Sequence, residues 1–97
     1  MTDMVLFVRF HPKPGMRDAL VEALREVAAP TRAEDGCLAF ETLAAVNDPD
    51  LFFVHSRWRD EAAFEHHATL PHTKRFVERV AATIDHPFTA VRLASME

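Results

Sequence analysis

Four short runs of β-forming residues alternate with two stretches of helical periodicity in the order β-α-β-β-α-β, and that order leaves few ways to build a core. Residues 4–11 are apolar and rich in β-formers, and Pro12, Pro14 and Gly15 stop the run. Residues 16–29 place Met16, Ala19, Leu20, Ala23, Leu24, Val27 and Ala28 on one helical stripe. Pro30 ends that helix, or lets it run on for one loose turn. Glu34, Asp35 and Gly36 form a turn before a second strand over 37–46. The turn chemistry of Asn47, Asp48, Pro49 and Asp50 then joins it to a third strand over 51–59 as a hairpin. Asp60 caps a short helix over 61–67, Pro71 opens a longer one to about 84, and residues 88–94 read as the last strand. The expected architecture is α+β: one ferredoxin-like βαββαβ domain over 1–97, with a four-stranded antiparallel sheet and its helices on one face.

A sheet covered on one side alternates apolar and polar residues if its other side meets water. Met4 to Val8 are all apolar, and so are Leu51 to Val54. Both strands read as buried on both faces for part of their length. A single domain of this topology does not provide that, whereas a second copy packed sheet to sheet does, so a homodimer is expected.

Composition narrows the partners. The net charge is −4, and the basic residues are scattered, which is not the footprint of a nucleic-acid binder. No apolar run approaches the ~20 residues of a membrane span, and the N-terminus lacks a secretory pattern. One cysteine, Cys37, precludes an intramolecular disulfide and fits the reducing cytoplasm. Two glycines are too few for a phosphate cradle, and no nucleophile elbow is present.

On the third strand Phe52, Val54, Ser56 and Trp58 share the more apolar face, expected to meet the helices. Trp58 then stands where the strand enters the short helix, close to Phe64, His66, His67 and His72. Imidazole titrates near neutral pH, so His67 or His72 at a helix break beside an aromatic wall is a candidate acid–base group. The plainer reading gives each histidine a helix end to bond and makes Trp58, Phe40 and Phe64 core. No metal centre is expected. His67 and His72 are five apart rather than four, His66 and His67 point ~100° apart, and no cysteine or carboxylate completes a ligand set.

The run Asp35-Gly-Cys-Leu-Ala-Phe40, then Asp48-Pro49, then Trp58-Arg-Asp-Glu-Ala-Ala-Phe64, then His67 and Pro71-His72 resembles the antibiotic biosynthesis monooxygenase family. Pro14-Gly15 and Phe76 match as well, so the resemblance covers nearly the whole chain. It implies a dimeric α+β barrel of ferredoxin-like subunits. It also implies a cofactor-independent monooxygenase that oxidises a small aromatic, quinol or polyketide-like substrate with O₂. In that chemistry the deprotonated substrate itself reduces oxygen, and the protein supplies a dry pocket, a base and polar groups. Carried onto this chain, the resemblance makes Trp58 and His67 catalytic and His72, Phe64, Phe40 and Ser56 substrate-binding.

Three departures accompany it. Ser56 stands where the family often has Glu. Phe64 stands where the anthrone-oxidising branch has Tyr, and this chain has no Tyr. The first strand lacks the Asn of haem-degrading relatives. The alternatives are a non-catalytic dimeric small-molecule-binding or stress-response protein, or an isomerase.

Overall fold

The computed structural model describes residues 3–94 and 96. Its elements are β1 (Met4–Phe10), α1 (Arg17–Arg32), β2 (Cys37–Ala44), β3 (Phe52–Trp58), α2 (Glu61–Ala68), α3 (Pro71–Thr83) and β4 (Thr89–Ala94). The strands form one antiparallel sheet in the order β2-β3-β1-β4. This is the ferredoxin-like α+β fold expected from the periodicities.

Strand parity sorts the side chains as anticipated. Phe52, Val54, Ser56 and Trp58 of β3 turn inward, as do Met4, Leu6, Val8 and Phe10 of β1. Most of them pack on Leu20, Ala23, Leu24 and Val27 of α1 and on Val80 of α3. Each large apolar side chain fully buried there contributes ~1.5–3 kcal/mol relative to exposure. Helix α1 runs through Pro30 to Arg32, taking the looser of the two expected endings. Proline there gives up its own hydrogen bond to the preceding turn, so the last turn needs other ties. Thr31 is fully buried there, and Arg32 Nε donates to the Phe40 carbonyl at 3.0 Å, so packing and one tie to β2 hold the turn.

Local contacts fix α2 and the turn before β2 in place. Asp60 Oδ1 accepts the Ala63 N–H at 2.8 Å and so caps α2, while Pro71 opens α3 just beyond the break at Thr69 and Leu70. Gly36 packs its backbone against α2, and a Cβ added there would lie 2.4 Å from the Ala63 Cβ. Only glycine allows this approach. The Gly36 carbonyl also accepts the Arg59 N–H at 2.9 Å, which ties the turn to the end of β3.

Strand β4 pairs only with β1, and its residues are exposed along its whole length. The outer face of the sheet carries Val5, Phe7, Phe53, Val91 and Leu93, with Phe7 and Phe53 edge-to-face at 5.4 Å. Phe7, Val91 and Leu93 are each more than a third exposed. The apolar second face read from the sequence is present in the chain. Among the described residues no helix is long and apolar enough to cross a membrane.

Candidate functional site

A cavity of about 180 Å³ lies between the inner face of the sheet and helices α2 and α3. Phe40, Val54, Ser56 and Trp58 come to it from the β2–β3 hairpin. Phe64 and His67 come from α2, Thr73 and Phe76 from α3, and Phe88 and Ala90 from the β4 edge. Among the described residues the lining is apolar apart from Ser56, His67 and Thr73, and it contains no carboxylate.

The aromatic wall and the base candidate meet here. Trp58 is buried, and its indole N–H donates to Ser56 Oγ at 3.0 Å. That bond uses an acceptor site of Ser56 and leaves the hydroxyl hydrogen for a guest. The His67 ring lies 4.6 Å from the Trp58 ring, with Phe64 5.7 Å from Trp58 and 5.8 Å from His67. Arg92 of β4 lies over the outer side of Phe64, 5.1 Å from its ring, and pairs with Glu61 and Glu65 of α2.

His67 occupies the last turn of α2 and is buried. Its Nδ1 is 2.6 Å from Glu34 Oε2 and 3.1 Å from Thr73 Oγ1, and its Nε2 is 3.5 Å from the same Thr73 oxygen. His72 Nε2 is 2.7 Å from that same Glu34 oxygen. Burial pushes the His67 imidazole below its ordinary value, and the hydrogen bond and negative charge of Glu34 offset part of that shift. His67 is therefore neutral near pH 7 and able to accept a proton.

Of the six residues singled out from the sequence, Phe40, Ser56, Trp58, Phe64 and His67 line the cavity. His72 does not. It bonds Glu34 from a neighbouring groove between α1 and α3, which shares Val27 and Phe76 with the cavity and is lined as well by Glu26, Arg75 and Arg79. Cys37 is half-buried in β2, and its thiol is raised by burial and by the charge of Glu34. It is a poor nucleophile.

Glu34 is the residue that sequence reasoning missed. The expectation that no carboxylate completes a ligand set for His67 and His72 is corrected, since one donor atom from each of the three lies within 4.8 Å of the others. Two imidazoles and a carboxylate have the donor chemistry for a divalent ion. The distances are those of hydrogen bonds, however: two ligands each ~2.0–2.2 Å from one ion stand about 3 Å or more apart, and the carboxylate oxygen is 2.6 and 2.7 Å from the two nitrogens. The only signal that points to Glu34 is the hairpin register. The antiparallel hairpin pairs Cys37 with Trp58, so residues just before Cys37 must lie beside the helix that follows Trp58.

The sequence profile described as Antibiotic biosynthesis monooxygenase matches residues 4–79. The chain belongs to this family. The matched span runs from β1 into α3 and contains Glu34 and all six candidate residues. Among relatives within the family, Rv0793 of Mycobacterium tuberculosis is 29% identical over 94 residues, covers 97% of this chain and 92% of its own, and bears the provisional name of a monooxygenase. YcnE of Bacillus subtilis bears the same provisional name at 26% identity over 89 residues, covering 92% of this chain and 94% of its own. The crystal structure of PA3566 from Pseudomonas aeruginosa is similar at 32% identity and a TM-score of 0.93, covering 100% of this chain and 97% of that one.

Proposed function

We propose that this family member is a cofactor-independent monooxygenase that oxidises a small aromatic or quinol-like substrate with O₂ inside the cavity. The observation that carries the reading is the convergence of Trp58, Ser56 and His67 on one apolar space. A flat electron-rich guest stacks against Trp58 and Phe64. The Ser56 hydroxyl donates to a guest oxygen, and His67 Nε2 takes the proton from the guest. The resulting substrate anion gives its electrons to O₂ and forms a C–O bond as a peroxide. At a ring C–H ortho or para to the hydroxyl, loss of water from the protonated peroxide leaves C=O and gives a quinone. One oxygen atom then ends in the product and the other in water, and the proton held by His67 is returned.

The size of the cavity bears on substrate class. An apolar cavity of ~150 Å³ takes up benzene, so about 180 Å³ suits a one-ring compound, with larger ones projecting towards the β4 edge. The apolar outer face of the sheet supports a homodimer packed sheet to sheet. Light scattering then gives twice the 11.0 kDa chain mass.

The test is O₂ uptake with a panel of hydroxyaromatics and quinols. Turnover is expected to fall at least tenfold, ~1.4 kcal/mol of barrier, in Trp58→Phe or His67→Ala. Rates equal to buffer across the panel would sink the reading. The absence of a carboxylate from the cavity lining favours a second one, a module that binds such compounds without turning them over. It predicts quenching of Trp58 fluorescence with no O₂ uptake. Product formed without oxygen would indicate an isomerase instead.

A further inference from the structure

We propose that Glu34 is a positioning residue for His67, and that His72 serves the reaction by holding Glu34 rather than by touching the substrate. This rests on the reading of His67 as the base in the cavity.

A carboxylate has no proton to give, so both ring nitrogens that face Glu34 Oε2 must donate. The 2.6 Å contact therefore places hydrogen on His67 Nδ1 and leaves the lone pair on Nε2. The second nitrogen has only the long 3.5 Å approach of Thr73 as a protein partner among the described residues, and it belongs to a ring that lines the cavity. A neutral imidazole without that acceptor is free to place its hydrogen on either nitrogen, and one of the two forms offers no lone pair to the substrate. Once His67 has taken a proton, it is a cation in a largely apolar site. Glu34 is then the negative charge that offsets it.

His72 completes the arrangement from the other side. Its Nε2–H donates to the same oxygen at 2.7 Å, so the carboxylate oxygen is fixed by two donors from two helices. The backbone of the turn is fixed as well, by Gly36 against Ala63 and by Arg59 N–H on the Gly36 carbonyl. The charged groups near the cluster are few. Glu26, Arg75 and Arg79 line the groove around His72, and only Glu34 and His72 act on His67. The pH response of His67 is set first by its burial and then by this pair.

The test combines nitrogen NMR of the histidine rings with kinetics. In the wild-type chain near neutral pH, His67 is expected to carry its hydrogen on Nδ1. In Glu34→Leu, which removes the acceptor, that preference is lost. The same variant should lower kcat at least tenfold with KM within about threefold, and should move the acid limb of the rate profile. His72→Phe should behave like Glu34→Leu, whereas His72→Gln, whose amide N–H can stand where Nε2 does, should restore turnover relative to His72→Phe. Wild-type His67 protonated at Nε2, or an unchanged tautomer in Glu34→Leu, would overturn the proposal even if O₂ uptake is normal. The ring measurements need no substrate, so the hold of Glu34 on His67 is read even if no compound is oxidised. Stoichiometric uptake of Zn²⁺ that vanishes in Glu34→Leu would also overturn it, by making the three side chains a metal site.

Discussion

Two clusters in this chain share one chemistry, a carboxylate between two histidines, and differ in their surroundings. At the surface, Asp85 accepts from His11 Nδ1 at 2.7 Å and pairs with His86, and the three side chains are 36%, 36% and 51% exposed in the order Asp85, His11, His86. Beside the cavity, Glu34 joins His67 and His72 with exposures of 10%, 10% and 25%. Water screens the first cluster and replaces any bond it loses, so the pairs contribute little. That cluster only reinforces a join already made by backbone, through the Pro12–Ile84 bridge and the Asp85 N–H on the His11 carbonyl. Little water reaches the second cluster. There the same three groups fix a proton position and a charge, and the difference comes from burial rather than from the residue types.

The comparison can be broken at several strengths. The largest effect is expected for Glu34→Ala, which leaves two imidazole donors without an acceptor. It should cost about 3 kcal/mol, read as a fall in the urea midpoint at constant slope. Next comes Gly36→Ala. The new methyl meets Ala63 at 2.4 Å, so the turn must move, at about 1–3 kcal/mol and with loss of turnover. A neutral result would show that the turn does not need its close approach to α2.

A smaller effect is the response to pH. The folded-state value of His67 lies below its unfolded value of about 6.5, so the unfolded chain takes up the proton first as pH falls. The stabilisation is full above ~6.5 and is lost as pH drops from there through the folded value. The unfolding midpoint should therefore fall in mild acid, and His67→Gln should flatten that slope. The smallest effect is expected for Asp85→Asn, whose unfolding midpoint and turnover should match those of the parent chain. A clear loss in that variant would mean that the surface cluster is more than a tie.

The sequence made the fold legible because its signals are local. The α1 stripe, the turn at Asn47 to Asp50, the Asp60 cap and Pro71 each act within a few residues, and each sits where the periodicity placed it. The alternation on β3 was enough to put Ser56 and Trp58 inward. The aromatic and imidazole half of the site was legible for the same reason, since Trp58, Phe64 and His67 follow one another along ten residues of chain. The carboxylate half was not. Glu34 reaches His67 across 33 residues, through a hairpin register and one glycine contact, and nothing in its own neighbourhood marks it. His72 illustrates the converse. Proximity in sequence suggested substrate contact, while the break at Thr69 and Leu70 and the start of α3 carry it into the neighbouring groove instead.

In the proposed reaction His67, held beside Trp58 in an apolar cavity, starts an oxidation in which O₂ is a reactant. The most direct measurement is turnover of an oxidised panel compound under ¹⁸O₂, with wild-type chain and with His67→Ala. One labelled oxygen atom per product molecule, at a rate reduced at least tenfold in the variant, is the result expected. Unlabelled product, or labelled product formed equally fast without His67, would contradict the account.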